Sequence, residues 1–251
     1  MNWLLIIILG AIAGSFINMA SYRLSLRNKN IKELILAPSF CIKCKHKLGI
    51  KNLFPIFSFI FQKGKCSFCS VKIPIRYLLI EIFCVVSFAL IFFFMGENLD
   101  AKLTINLLIF LALLTMIITD LEHYFISDFN QIILFILVIF YHFLNNNLEQ
   151  YSYYLFSAFA YLAFGFILNF VFKFFAKKDG IGIDDIKFFA IVGFMIGIKN
   201  FPFFMFLSGI LGIVFGLIWQ RLQKDDTFPF APALIVSLIL VINFDFGKYI
   251  Y

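Results

Sequence analysis

The amino-acid sequence predicts an all-α polytopic membrane protein, with about eight transmembrane helices and a small cytoplasmic zinc-knuckle-like insertion after the first. Three observations carry this expectation. Hydrophobic residues make up 63% of the 251 positions and charged residues only 14%, which is more apolar surface than a soluble domain of this size can bury. Apolar runs recur at lengths suited to a hydrocarbon core about 30 Å thick. The basic residues gather in one polar stretch near the N-terminal end instead of being spread along the chain.

The apolar runs lie at 3–22, 77–95, 103–119, 129–144, 152–175, 186–198, 202–220 and 230–246, the fourth and sixth being short for a span. The first lacks a basic segment ahead of it and a small-residue cleavage site behind it, so it reads as a retained helix. Of the 21 Lys and Arg residues, 12 lie between Arg23 and Arg76. With the N-terminus outside, segments 23–76, 120–128, 172–187 and 221–227 face the cytoplasm and hold 18 basic residues, against only Lys102, Lys199 and Lys248 on the other side. The positive-inside rule therefore supports this orientation over its inverse, with both groups of acids near the spans facing the cytoplasm. A net charge of +7 then reports topology and contact with anionic lipid headgroups, and argues for no nucleic-acid partner. Three parts follow: a first helix at 1–22, a four-cysteine segment at 23–76 and a seven-helix membrane domain at 77–251. No internal repeat is evident, and nothing in the chain sets an oligomeric state.

Pro38, Pro55 and Pro74 argue against long helices in the polar segment, and about 50 residues of this composition build a poor core. Within it Cys41-Ile-Lys-Cys44 is followed, after 21 residues, by Cys66-Ser-Phe-Cys69. Two such knuckles can wrap a tetrahedral metal, and structural zinc would supply the folding energy that the segment lacks. Reduced free thiols or two disulfides are the alternatives, the latter disfavoured in a cytoplasmic segment. Cys84 reads as a small buried apolar residue and His46 as a solvated one.

Acidic residues that flank spans are costly and are functional candidates for that reason. One group is Asp120, Glu122 and Asp128 at the end of the third run; the other is Asp179, Asp184 and Asp185 at the start of the sixth. Two carboxyls brought close together share one proton. One can then act as base toward water while the other protonates a scissile carbonyl. Gly180 and Gly182 offer backbone freedom for a substrate strand to approach. Solvated interfacial carboxylates, or the proton path of a small transporter, are the competing readings of the same residues.

Several segments together resemble the bacterial prepilin peptidase, or type IV leader peptidase, family. They are Gly14-Ser-Phe-Ile-Asn18 with Tyr22-Arg23-Leu24, the two cysteine knuckles, Asn52-Leu-Phe-Pro55, Ile73 to Tyr77 and on to Glu81, Asp120 to Asp128, Gly182-Ile-Asp184-Asp185-Ile-Lys187, and Phe228-Pro-Phe-Ala231-Pro232. The resemblance implies an intramembrane aspartic endopeptidase that cuts leader peptides of type IV prepilins or pseudopilins at the cytoplasmic face. Its catalytic aspartates map to Asp120 and Asp185, and its cytoplasmic domain contains the knuckles whose thiols, Cys41, Cys44, Cys66 and Cys69, are the metal ligands read above. It also implies that many members methylate the new N-terminal amine with S-adenosylmethionine, for which no binding residue is assigned.

Three positions depart from the family pattern. Asp184 stands where the family has Gly, Ser127 where it commonly has Pro, and Ala231 where it has Gly. Of these Asp184 matters most, since an extra carboxylate beside Asp185 disfavours ionisation there. The helix order gives one further expectation. Asp120 at a helix C-terminus would prefer the proton, and Asp185 at a helix N-terminus the charge.

Overall fold

A computed structural model describes residues 2–24, 38–145, 150–177, 180–223 and 228–244. Asp179 lies outside the described residues, as do Arg27, Lys29 and Lys32 of the basic stretch and Lys178, Lys224 and Lys248. The described residues are helical, with two isolated β-bridges. They form α1 (Asn2–Leu24), α2 (Ile50–Leu53), α3 (Phe57–Phe61), α4 (Arg76–Phe94), α5 (Ala101–His123), α6 (Asp128–Leu144), α7 (Tyr151–Ala176), α8 (Ile183–Ile196), a 3₁₀ turn at Ile198–Asn200, α9 (Phe201–Gln223) and α10 (Ala231–Phe244). The chain divides into two compact units, Met1–Leu111 and Ala112–Tyr251.

Each of the eight apolar runs is a helix, but length separates them. Among the described residues five segments are long and apolar enough to cross a membrane: Asn2–Leu24, Arg76–Phe94, Ala101–His123, Tyr151–Phe175 and Ile198–Gln223. The helices α6, α8 and α10 have 17, 14 and 14 residues. At a rise of about 1.5 Å per residue these reach roughly 21–26 Å, short of a full hydrocarbon core. An apolar run reports burial, and burial in α8 is supplied by protein. Ile186, Phe188, Phe189, Ile191, Val192 and Phe194 are all buried, whereas Phe166, Phe170 and Phe174 of α7 lie exposed, as lipid-facing rings do.

In the first unit α1 packs along α4 through two glycines four residues apart. A Cβ at Gly14 would stand 2.6 Å from the Glu81 Cα, and one at Gly10 2.9 Å from the Val85 Cα, so the backbones meet where only hydrogen fits. Asn18 donates its amide to the Tyr77 carbonyl at 3.0 Å one turn further on. At the other end of the pair Ile6, Phe88, Phe92, Leu103 and Leu107 form a buried cluster. Asp100 caps α5 by accepting the Leu103 N–H at 2.7 Å.

The second unit is built around α8, which packs on α6, α7 and α10. Close approach to α7 again requires a glycine, since a Cβ at Gly193 would lie 2.7 Å from the Ser157 carbonyl oxygen. The helix ends at Gly197, whose φ of 75° suits glycine and lets the chain turn under Tyr153. Buried His142 donates its Nε2–H to the Phe194 carbonyl, 2.8 Å away, fixing α6 against α8.

Candidate active site and metal centre

Asp120 lies in the last turn of α5 and is buried. Its Oδ2 accepts the backbone N–H of Ala231 at 2.8 Å, so the carboxylate caps the first turn of α10. Asp185 lies in the first turn of α8 and is half-buried. The carboxyls of Asp120 and Asp185 lie within electrostatic reach of one another, with Asp184 the third charge acting on both. The structure thus draws together one acid from each of the two acidic groups in the sequence. Both members meet a helix N-terminus, Asp120 through α10 and Asp185 through α8. The expected dipole asymmetry is therefore lost, because the sequence order shows only the helix that carries Asp120 and not the one it caps.

The first turn of α6 joins these helices. Asn130 donates to the Ala112 carbonyl of α5 at 2.9 Å, and Gln131 donates to the Asp184 carbonyl of α8 at 3.0 Å, its own buried Oε1 having no hydrogen-bond partner among the described residues. Sequence reasoning did not single out either residue. The signal available was an Asn-Gln pair directly inside an apolar run, where polar side chains are retained only if they bond. Asp128 at the head of α6 accepts from Lys187 Nζ at 2.6 Å, and the same ammonium lies 3.4 Å from Asp184. Glu122 pairs instead with His123 at 3.6 Å.

The three departures have physical readings here. Asp184 is helical, so glycine is not needed for its backbone, and its charge is met by Lys187. Ser127 precedes α6 with φ −68°, the value a proline imposes, and its side chain makes no capping bond. Ala231 contributes its N–H, which any residue but proline carries. The glycines act differently from expectation. Gly182 has φ −62° and ψ 145°, open to any residue. Space is what it provides: a Cβ there would sit 3.1 Å from Asp185 Oδ2, and one at Gly180 would sit 2.5 Å from the Phe172 ring.

The four cysteines occupy two copies of one knuckle, a repeat at 25 residues that sequence reasoning missed. In the first, Cys41 accepts the Lys45 N–H, its own N–H bonds His46, Lys45 adopts φ 58°, and Phe40 bridges to Lys47. In the second, Cys66 accepts the Ser70 N–H, its own N–H bonds Val71, Ser70 adopts φ 55°, and Lys65 bridges to Lys72. The repeat is carried mainly by backbone, and outside Cys-x-x-Cys only the Lys47–Lys72 position keeps the same side chain between residues 40–48 and 65–73. The knuckles face each other, with His46 of one stacked on Phe68 of the other at 3.5 Å between ring centroids, so His46 is exposed yet packed.

All four sulfurs lie within 4.8 Å of one another, and Cys41 Sγ is 3.8 Å from Cys69 Sγ. A tetrahedron of thiolates about 2.3 Å from a metal has edges of about 3.8 Å, so the donor set could hold a metal ion, and all four cysteines are unbridged. The Cys44 backbone N–H pulls the Cys41 thiol down to about 6. Cys69 is pulled down by the Val71 N–H, but desolvation and the neighbouring thiols outweigh this and push it up to about 11. Crowded thiols resist full ionisation until a cation joins them. Cys84 is buried in α4 against Gly14, apart from the quartet.

Comparison with known proteins joins the two halves. Residues 8–95 match the bacterial peptidase A24 N-terminal domain and residues 107–217 the type IV leader peptidase family. A prepilin leader peptidase/N-methyltransferase of Bacillus subtilis is 32% identical over 94% of this chain and 92% of its own length. Proteins of the same name from Vibrio cholerae and Neisseria gonorrhoeae are 25% and 29% identical over 93% and 92% of this chain, and 93% and 86% of their own lengths. No solved structure matches. With 94% of its length aligned to such a relative and both sequence domains present in order, this chain is a multi-pass membrane protein that belongs to the type IV leader peptidase family.

Proposed function

We propose that the protein is an intramembrane aspartic endopeptidase that removes the leader peptide of type IV prepilins or pseudopilins, with Asp120 and Asp185 as its catalytic pair. The observation that supports this reading is that two carboxyls from separate helices lie within electrostatic reach of one another, one of them buried and held by the Ala231 N–H. Like charges at short range keep one proton between them. The ionised member takes a proton from water, the hydroxide adds to the scissile carbonyl, and the protonated member supplies its proton to the carbonyl oxygen. The carboxyl that took the proton from water then passes it to the leaving nitrogen as the tetrahedral species collapses and expels the amine of the new N-terminus. Asp120→Asn and Asp185→Asn should each lower cleavage of a candidate prepilin by about 10²–10⁴-fold, the range for a general acid or base, while the purified protein keeps its helical content. Full cleavage by either variant would overturn the assignment.

The functional division we propose is a first helix at 1–22, a cytoplasmic metal segment at 23–76 and a membrane domain at 77–251. Eight membrane passages, with α6, α8 and α10 shielded by their neighbours, put both aspartates on the cytoplasmic side of the inner membrane. The basic residues between Arg23 and Arg76 support that orientation and would rest on anionic lipid. Structural zinc on Cys41, Cys44, Cys66 and Cys69 agrees with the thiolate donor set and its tetrahedral spacing. The N-methyltransferase activity named for the relatives extends to this chain in the same proposal. S-adenosylmethionine, when bound, supplies the methyl group that the new N-terminal amine accepts.

A further inference from the structure

Between the two cysteine knuckles, α2, α3 and the turn joining them form a strap with two unlike faces. Phe54, Phe57, Ile60 and Phe61 point outward, each more than half exposed, and Phe61 is 81% exposed. In α3 the outward residues follow the spacing of one helical face, while Ser58, Phe59 and Gln62 turn inward and line a cavity of about 610 Å³ that Glu81 also borders. Phe54 joins the outer face because Ile56, at φ 64°, bends the chain and leaves the Phe54 and Phe57 rings 5.7 Å apart. A β-branched residue resists that left-handed conformation, and the Glu81 carboxylate holds it there by accepting the Ile56 N–H at 2.7 Å. Exposed Lys51 stands at one end of the strap, and exposed Lys63 and Lys65 at the other. An apolar patch rimmed by polar groups in this way marks a surface that docks.

We propose that the strap is an interfacial membrane anchor: its four outward apolar side chains enter the cytoplasmic headgroup layer of the bilayer, and its three lysines meet anionic phospholipid. The inference rests on the orientation proposed above, with residues 23–76 on the cytoplasmic side. Depth favours the bilayer as occupant. Glu81 follows Arg76, the first residue of α4, by five positions, and Gly14, whose Cβ would touch the Glu81 backbone, precedes Leu24, the last residue of α1, by ten. At about 1.5 Å per residue Glu81 sits roughly 7 Å below the start of α4 and about 15 Å below the end of α1, and its side chain draws the tip of the strap to the membrane side of both helix ends. Arg76 and Tyr77, cation over ring at 5.0 Å, give the start of α4 the make-up of a headgroup level. Amphipathic segments settle about 5–10 Å into that boundary. Charge favours anionic lipid: between Leu34 and Glu81 the sequence has no Asp or Glu and eight Lys or Arg. The same lysines repel a basic peptide, and a second copy docked on this face would set lysine against lysine.

The test reads tryptophan fluorescence from the full-length chain in nanodiscs. The chain has two tryptophans, so Trp3→Phe/Trp219→Phe/Phe61→Trp carries a single indole, on the strap. In discs containing phosphatidylglycerol, lipid with a doxyl label near its headgroup should quench that indole about threefold more than lipid labelled at the acyl terminus, and aqueous acrylamide should quench it weakly. Ile60→Trp in the same background supplies the reading if Phe61→Trp fails to fold. Exchange of phosphatidylglycerol for phosphatidylcholine should lower lipid quenching about twofold, and adding Lys51→Gln/Lys63→Gln/Lys65→Gln should abolish that dependence. An indole open to acrylamide overturns the proposal, as does one shielded from acrylamide yet quenched by neither lipid label, which places the face against protein. Shielding that appears only with added prepilin assigns the face to substrate and overturns it too, and equal quenching in the two lipids overturns the pairing with anionic headgroups. Sidedness is read separately, by an impermeant amine reagent that should modify exposed Lys72 in inverted membrane vesicles only. Modification only in right-side-out vesicles sinks the orientation, and correct sidedness without lipid quenching sinks this inference alone.

Discussion

The thiol quartet and the carboxylate pair are both groups of like acids held together against their own repulsion, and the chain achieves this in opposite ways. Each cysteine knuckle closes on its own backbone within a few residues, by N–H bonds to Cys41 and Cys66 and left-handed turns at Lys45 and Ser70. Two such closed loops need only meet. Asp120 and Asp185 belong to different helices, and their setting draws on a third and a fourth, through the Ala231 N–H of α10 and the Asn130 and Gln131 amides of α6. The thiols become compatible when a cation joins them, and the carboxyls when a proton does. The first arrangement favours a permanent structural ion and the second a transferable proton, which is what separates a staple from a catalyst.

This contrast can be broken most severely at the carboxylates. Loss of about 10²–10⁴-fold in cleavage is expected for Asp120→Asn or Asp185→Asn with metal content unchanged; retained turnover would remove the proton-sharing half of the comparison. The pair should also give a bell-shaped pH dependence of kcat/KM, rising as one carboxyl ionises and falling as the second does.

Next in size is the quartet. Stripping metal with a chelator, or Cys66→Ser, should open residues 38–75 to protease while leaving the α7–α8 contacts at Gly193 intact, as read by hydrogen exchange. Metal binding is folding energy for a segment this small. Unchanged proteolysis after verified metal loss would mean the knuckles stand alone.

A smaller effect is expected where helices touch. Gly14→Val pushes a side chain against the Glu81 backbone, 2.6 Å from the added Cβ, and should destabilise by about 1–3 kcal/mol, measured as a lower Tm. A neutral result would show that α1 and α4 are free to separate.

The smallest effect concerns Asp184. Removing its counterion by Lys187→Met leaves an unneutralised carboxylate near Asp185, which favours protonated carboxyls. The acid limb of the pH profile should therefore move to higher pH by less than about one unit, given an ion pair this exposed, and adding Asp184→Gly should return it. A shift toward lower pH would show that Lys187 acts through Asp128 instead.

The residues show how unevenly a sequence displays such features. Composition and apolar runs foretold every long helix, because burial and lipid exposure both demand apolar side chains. For the same reason they gave no warning that α8, at 14 residues, is sheathed by protein and not by lipid alone. Cys-x-x-Cys spacing was legible as a metal pattern, while the 25-residue repeat of the knuckle escaped notice, since backbone bonds and left-handed turns carry it and Lys45 and Ser70 share no side-chain chemistry. Gly182 was noticed for the wrong property: the freedom of its φ goes unused, and what counts is the missing Cβ beside Asp185.

The resemblance to the leader peptidases singled out Asp120 and Asp185; from residues alone came the membrane class, the approximate helices, the four thiols and the two groups of acids. These depend on chemistry that each side chain carries wherever it lies. Only the tertiary structure decided that Asp120 caps α10, that Lys187 offsets Asp184, and that Glu81 faces a cavity under a strained Ile56. Hydrogen bonds and charges act over a few ångströms, and which groups come that close is settled by how helices distant in sequence pack.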